Sequence, residues 1–139
     1  MKNIILPIIA LTICASTSAQ VYQGLQTEEE IAKFKALGIK KVVQLLNRAP
    51  GNGKGDTSVV KNYNEHGQIT RQANYYYGRV NSEMRYTYKN GNLVSTGNFY
   101  GGRKNQETVY SYNKLDQLIK EEWLTVNGQS SGWREFKYD

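Results

Sequence analysis

The chain has 139 residues, about the length of one domain, and its 18 Lys and Arg against 12 Asp and Glu give a formal net charge of +6. It carries one Cys and one His, which excludes a disulfide framework or a Cys/His zinc site built from this chain alone. A hydrolase of the Ser-His-Asp or Cys-His type would have to use His66 as its base.

The first segment has the pattern of a secretory signal peptide. Lys2 precedes an apolar run over 4–14, which is shorter than the roughly 20 helical residues that span a bilayer. Small residues up to Ala19 then suit signal-peptidase cleavage. We predict a signal peptide over 1–19 and therefore export to the periplasm or beyond, with no transmembrane segment in the mature chain. Lipidation at Cys14 is the alternative that we do not favour, because Ile13 stands where a lipobox has a small residue.

The segment over 20–38 is predicted to contain one short helix, over 27–38. Thr27 followed by Glu30 forms a capping box, and Gly38 suits the residue that follows a helix. An apolar stripe at helical spacing comprises Ile31, Phe34 and Leu37. We interpret this stripe as the face that packs on the neighbouring sheet.

A strand over 39–47 and a glycine-rich loop over 50–56 follow the helix. The loop does not fit a phosphate-binding Walker motif, because Gly55 follows Lys54 where that motif has Ser or Thr. We predict a hairpin loop there. The region over 39–139 is then interpreted as one antiparallel β-repeat domain.

A repeat of about 25 residues dominates the rest of the chain. Its anchors are aromatic residues at recurring positions, two residues apart within a unit: Tyr63, then Tyr86 and Tyr88, Tyr110 and Tyr112, and Phe136 and Tyr138. The first unit has Lys61 where the later units have the first aromatic of the pair. Residues two apart lie on one face of a strand, so each unit is expected to place its aromatics on the same face. Asn-Gly pairs at 90–91 and 127–128 are typical of two-residue hairpin turns.

The repeat predicts a mainly β fold, an antiparallel meander of about seven or eight strands preceded by the short helix. The strands are expected near 39–47, 57–63, 68–76, 83–89, 92–100, 107–113, 117–126 and 132–138. The apolar residues that open a strand (Ile69, Leu93 and Leu118) are expected on the same face as those six positions later (Tyr75, Phe99 and Leu124). With 11 Tyr and 2 Trp, the core is expected to be largely aromatic.

Two stretches resemble the bacterial variant of MORN repeats, Tyr88–Tyr100 and Asn127–Tyr138, with Asn-Gly turns followed by Gly and an aromatic residue. The unit at Tyr110–Asn113 is also similar to the YD repeats of RHS proteins. The resemblance covers about 63–139. It implies a non-catalytic β-repeat that serves as a binding surface, and bacterial members are often labelled antitoxin components. Exported members of this kind are common in Bacteroidota.

These observations favour an exported, non-enzymatic binding protein of the cell envelope that recognises a protein partner, with an immunity or antitoxin-type inhibitor as one version. The alternative is a glycan- or anionic-lipid-binding module, which would place exposed Tyr or Trp beside Arg79, Arg103 or Arg134. The candidate binding residues are Arg79, Arg103, Trp123, Trp133 and Arg134. We expect no catalytic residues, metal, cofactor or nucleic-acid partner. The recurring carboxylates Glu83 and Glu107 are interpreted as solvated partners of Arg79, Arg85 or Arg103.

Overall fold

The computed structural model describes residues 26–46 and 56–138. Within those ranges one short helix precedes eight antiparallel strands, which form one open sheet in sequential order. The elements are α1 (Glu28–Ala36), β1 (Lys41–Leu46), β2 (Asp56–Tyr63), β3 (Ile69–Tyr76), β4 (Arg79–Lys89), β5 (Asn92–Tyr100), β6 (Arg103–Tyr112), β7 (Leu118–Thr125) and β8 (Ser130–Glu135). The predicted fold class is confirmed. The predicted signal peptide and glycine-rich loop lie outside the described residues, apart from Asp56.

Helix α1 begins as its sequence predicts. The Thr27 hydroxyl accepts a hydrogen bond from the Glu30 amide, and the Glu30 carboxylate accepts one from the Thr27 amide. Gly38, with φ of 62°, follows the C-cap. The predicted apolar stripe is only partly used: Phe34 contacts Tyr63, whereas Leu37 is 65% exposed. None of the described helices is long and apolar enough to cross a membrane.

Two kinds of turn join the strands from β2 to β8. At one end of the sheet, β3–β4 and β5–β6 are joined by two-residue turns at Tyr77–Gly78 and Gly101–Gly102, with positive φ at all four residues. The predicted turn at Asn90–Gly91 has the same form. These are the dihedrals of type I′ turns, which match the twist of paired strands. Because the turns are this short, β4 and β6 begin at Arg79 and Arg103, four residues before the predicted starts at 83 and 107.

The other kind is a three-residue loop closed by a residue pair. Asn64 pairs with Gln68, Asn113 with Gln117 and Thr125 with Gln129 through the backbone, and the residue before each glutamine has positive φ. Those residues are Gly67, Asp116 and Gly128. The prediction of a two-residue turn at 127–128 is therefore wrong: Asn127 and Gly128 belong to a longer loop that Thr125 and Gln129 close.

Each strand pair contains one extra residue, always in the second strand. In the described pairs these residues are Ser58, Thr70, Asn81, Val94, Asn105, Ile119 and Ser131. An unpaired residue bends a strand and increases its twist. It also reverses the alternation of faces: Leu93 pairs with Tyr88, whereas Phe99 pairs with Glu83, next to Arg85 on the opposite face. The prediction that strand openers share a face with the residue six positions later is therefore wrong.

The two faces of the sheet differ in chemistry. One, which we call the tyrosine face, carries Tyr86, Tyr88, Tyr110 and Tyr112 and is covered by α1 at the β2 end. The other, the charged face, carries Glu83, Arg85, Phe99 and Glu107. Side chains alternate between the two faces along a β-strand. The tyrosines of each Tyr-x-Tyr pattern therefore lie together on the tyrosine face, and their neighbours in sequence, such as Arg85, lie on the charged face.

The buried apolar residues are few and mostly aliphatic. Among the described residues they are Val60, Tyr63, Ile69, Ala73, Leu93 and Leu118. The prediction of a largely aromatic core is therefore wrong. The reason is architectural: a single layer has no second sheet to bury large rings, so most repeat tyrosines remain half-buried on one face.

Candidate binding surfaces

The five candidate binding residues do not form one surface. Arg79 and Arg103 open β4 and β6 at the same end of the sheet. Trp123, half-buried on β7, lies against Gly132, where an added Cβ would stand 3.1 Å from its ring. The neighbouring Trp133 is 57% exposed on the opposite face of β8. Two separate regions therefore carry these residues, one at the hairpin tips and one on the last two strands.

Arg134 is engaged within the sheet. Its Nη2 lies 2.5 Å and its Nε 3.1 Å from Oε2 of Glu121, a carboxylate that is only 4% exposed. The guanidinium also lies over the Phe136 ring, 5.1 Å from its centroid. Because a buried carboxylate needs a cation beside it, the first role of Arg134 is to neutralise Glu121.

The two hairpin tips at Arg79 and Arg103 repeat one arrangement, which we call the basic rim. Tyr76 pairs with Arg79 across one turn, and Tyr100 pairs with Arg103 across the next. Tyr76 is 55% and Tyr100 is 65% exposed, and the unpaired residues Asn81 and Asn105 follow two positions after each arginine. Each tip thus presents a phenol ring, a guanidinium and a side-chain amide to solvent.

The two tips are joined, and neither carries an acidic residue. The Gly101 amide donates to the Asn81 carbonyl at 3.3 Å. The segments 74–82 and 98–106 contain Arg79, Arg103 and Lys104 but no Asp or Glu. Within the described part of the chain, no ion pair includes Arg79 or Arg103. The interpretation of Arg79 and Arg103 as partners of Glu83 and Glu107 is therefore wrong, whereas that of Arg85 as a partner of Glu83 is confirmed.

Glu83 and Glu107 have other partners on the charged face. Glu83, 7% exposed, accepts hydrogen bonds from Arg71 and from Arg85. The Arg71 hydrogen bond, with that of Arg85, holds the pKa of the Glu83 carboxyl below its usual range despite burial. Glu107 pairs with Lys104. Sequence reasoning missed Arg71, because its strand precedes the strand of Glu83 and register alone brings the two together.

The two adjacent carboxylates of β7 lie on opposite faces of the sheet. Glu121 lies on the tyrosine face beside Arg134, and Glu122 lies on the charged face beside Lys120. Among the described residues, no group of three potential metal ligands comes together. His66 is exposed in the Asn64–Gln68 loop next to Glu65.

A shallow groove of about 170 Å³ lies between α1 and the first two strands. Its lining includes Phe34 and Glu30 of the helix, and Val42, Lys61 and Tyr63 of the sheet. Beside it, β1 forms an edge of the described sheet, with Val42 37%, Val43 46% and Leu45 60% exposed. These valines pair with Lys61 and Val60 respectively, so β1 exposes apolar side chains on both faces.

Burial on the tyrosine face raises the pKa of the phenols of Tyr86, Tyr88 and Tyr110. A phenol whose pKa is higher in the folded state stabilises the fold below its unfolded pKa of about 10, and that contribution is lost as pH rises above it. We therefore expect unfolding by alkali, in which part of the tyrosinate absorbance at 295 nm appears together with loss of the circular dichroism signal. Tyr86→Phe should move this transition to higher pH. Full ionisation before any loss of structure would contradict it.

No family model matches the chain, and no curated protein matches it. Among solved structures, TarM aligns with a TM-score of 0.31 and 8% identity over 83% of this chain and 21% of that chain. A GtfA/B complex bound to UDP and GlcNAc aligns with a TM-score of 0.27 and 16% identity over 68% of this chain and 22% of that chain. A mutant of S. aureus TarM in complex with fondaparinux, alpha-GlcNAc-glycerol and UDP aligns with a TM-score of 0.30 and 7% identity over 81% of this chain and 20% of that chain. The chain spans about a fifth of these proteins, and TM-scores this low carry no argument about its fold or function.

Proposed function

We propose that this protein is an exported, non-enzymatic binding module of the cell envelope that recognises a protein partner through strand β1. The observation that carries the proposal is the apolar edge formed by Val42, Val43 and Leu45. Edge strands usually limit pairing with other chains by charge, proline or coverage. Within the described residues β1 is an edge with exposed apolar side chains, the kind of edge to which another strand can add. An immunity or antitoxin-type inhibitor is one version of this function.

The buried carboxylate of Glu83 supports a binding role over acid–base chemistry. It accepts hydrogen bonds from Arg71 and Arg85, which lower the pKa of the Glu83 carboxyl. A general acid needs a carboxyl that retains its proton near neutral pH. Glu83 is therefore not suited to donate a proton to a substrate.

The test is affinity capture from an envelope extract of the native host with the immobilised chain, at low and at high salt. We expect one protein to be retained at high salt by the wild type. Val43→Lys should abolish its retention, because a charge on β1 opposes strand addition, while the melting temperature stays close to that of the wild type. Val126→Lys is the matched control, since Val126 is 61% exposed in the loop after β7, away from β1. Retention by the Val43→Lys variant would contradict the proposed edge.

A second candidate function is recognition of a glycan or an anionic lipid. The observation that favours it is the basic rim, where exposed Tyr76 and Tyr100 stand beside Arg79 and Arg103. Release of every captured protein by salt would favour this function over a protein partner, because surface charge interactions are screened.

A further inference from the structure

We propose that the basic rim is a two-unit binding site for an acidic polysaccharide. The inference rests on the second proposed function and names its ligand class. The site comprises two copies of one triplet: Tyr76, Arg79 and Asn81 in the β3–β4 hairpin, and Tyr100, Arg103 and Asn105 in the β5–β6 hairpin.

Each member of the triplet suits one feature of an acidic sugar. An exposed phenol ring offers a flat apolar surface on which the C–H face of a sugar ring can stack. A guanidinium with no ion pair among the described residues can bind a carboxylate through two parallel hydrogen bonds. The asparagine amide can donate to and accept from hydroxyl groups. Together they match a sugar that carries both hydroxyls and a negative charge.

The backbone holds the triplets in position. Both tyrosines precede two-residue turns whose residues have positive φ, and Tyr77 has this conformation, φ 47°, without being glycine. Asn81 and Asn105 are the extra residues of their strands, with no residue opposite them in the preceding strand. The Gly101–Asn81 backbone hydrogen bond fixes one tip against the other. The backbone of the two tips is therefore fixed before a ligand arrives, so only side chains have to be ordered on binding.

Repetition of the triplet points to a repeating ligand. Arg79 and Arg103 lie on strands separated by one intervening strand, so they stand about 10 Å apart across the sheet by the usual strand spacing. The two sites share Tyr, Arg and Asn, although the Tyr76 ring also packs edge-on against Tyr77. Two similar sites at a fixed spacing gain affinity from a polymer whose repeating unit engages both at once. The corresponding positions of the third tip are Thr125, Gln129 and Ser131, so the pattern ends after two units.

The charge pattern favours an acidic ligand over a neutral one, and a polysaccharide over a nucleic acid. No carboxylate lies in 74–82 or 98–106, and the next ones along the chain, Glu83 and Glu107, are already paired with cations. Nucleic-acid binding draws its affinity from many phosphate contacts, and this rim offers only Arg79, Arg103 and Lys104. Lys104 already pairs with Glu107.

The experiment measures binding of the purified full chain to polygalacturonate, to neutral dextran and to an oligothymidylate. We expect binding to polygalacturonate, with at least about a tenfold loss of affinity in the Arg79→Gln, Arg103→Gln double variant and a smaller loss in each single variant. Tyr76→Ala with Tyr100→Ala should weaken binding as well. The control is Lys89→Gln with Lys114→Gln, which removes the same charge from exposed positions at the opposite end of the sheet. Melting curves verify that each variant is folded.

The possible results distinguish an acidic-polysaccharide site from glycan recognition in general. Equal binding of dextran and polygalacturonate, unaffected by the arginine variants, would overturn the acidic ligand while leaving glycan recognition in place. Absence of binding to either polysaccharide would overturn both. Equal losses in the rim and control variants would overturn the site, because they would show a general charge effect. Tighter binding to the oligothymidylate would overturn the ligand class.

Discussion

Replacing Gly67 with alanine should destabilise the protein by about 3 kcal/mol and release helix α1, since the substitution adds backbone strain and a steric clash. An alanine Cβ at this position would stand 2.3 Å from the Ile31 carbonyl oxygen and 2.7 Å from the Lys35 amide nitrogen. Both atoms belong to the helix backbone, which cannot give way without moving the whole helix. Gly67 therefore sets how closely the helix approaches the sheet.

The steric clash with the helix is expected to contribute more to the loss of stability in Gly67→Ala than the strain of the turn does. The same three-residue loop occurs three times, with Gly67, Asp116 and Gly128 at the equivalent position. Asp116 shows that this turn accepts a side chain at φ 57°. Gly128, with φ 77° and no atom within 4 Å of an added Cβ, is the matched control. Gly128→Ala should cost only about 1 kcal/mol, the usual penalty of a left-handed backbone.

The helix depends on this contact because it has few others. None of its residues is buried, and a helix of 9 residues is marginal on its own. Phe34 packs against Tyr63, and the Gln26 side chain donates a hydrogen bond to the Gly67 carbonyl and accepts one from the Ile69 amide. Urea unfolding measures the stability loss, and tryptic cleavage after Lys33 and Lys35 measures helix release. Equal effects of the two alanine variants would show that the helix contact contributes nothing.

The local elements of this fold were predictable because short-range chemistry determines them. The Thr27–Glu30 capping box sets the start of the helix, and the Asn90–Gly91 pair sets a type I′ turn. Alternation within Tyr86–Tyr88 and Tyr110–Tyr112 predicted a meander of the observed strand number. In each case the determining residues are neighbours in sequence.

Features that depend on pairing between strands were not predictable. The unpaired residue Val94 reverses the faces of β5, and only its register with Tyr88 reveals it. Asp116 takes a positive φ where the two equivalent loops have Gly67 and Gly128, and its carboxylate accepts a hydrogen bond from Asn92 of another hairpin. The single-layer architecture leaves the tyrosines half-buried, which composition alone does not indicate.

The candidate binding surfaces also combine features that local sequence predicts with features that depend on strand pairing. Arg79 and Arg103 were among the candidate binding residues, but their pairing with Tyr76 and Tyr100 follows from two-residue turns that are shorter than the gaps expected between the strands. The apolar exposure of β1 was not expected at all, because a sequence does not show which strand is left at an edge. Repetition therefore indicates candidate residues, and topology decides which of them meet.

A second large loss of stability is expected on replacement of Glu83, the most buried acidic group of the charged face. Its side chain is 9% exposed between Arg71, 30% exposed, and Arg85, 58% exposed. Glu83→Gln keeps the shape but presents an NH₂ group to one guanidinium and leaves both positive charges unneutralised. Breaking a buried ion pair costs about 3–5 kcal/mol, and solvent access to the arginines lowers our expectation to about 2–3 kcal/mol.

Glu107 provides the matched control, since it occupies the same place in the next repeat. Its carboxylate is 28% exposed and pairs with the single cation Lys104. Glu107→Gln should reduce the free energy of unfolding by less than about 1 kcal/mol, as is usual for solvated pairs. Comparable losses at the two positions would show that the second arginine and the deeper burial at Glu83 have no effect on stability.

The pH dependence of the Glu83 effect identifies its origin. Since the pKa of Glu83 is lowered on folding, chiefly by the Arg71 hydrogen bond, its contribution is complete above the unfolded pKa of about 4.3. It is lost as pH falls through the lower folded pKa, where the wild-type carboxylate takes up a proton and resembles the glutamine. We therefore expect urea unfolding to give a constant difference in the free energy of unfolding between wild type and Glu83→Gln from pH 7 down to about pH 5. This difference should narrow below about pH 4, in measurements down to about pH 2.5. A gap independent of pH would assign the loss to packing and not to charge.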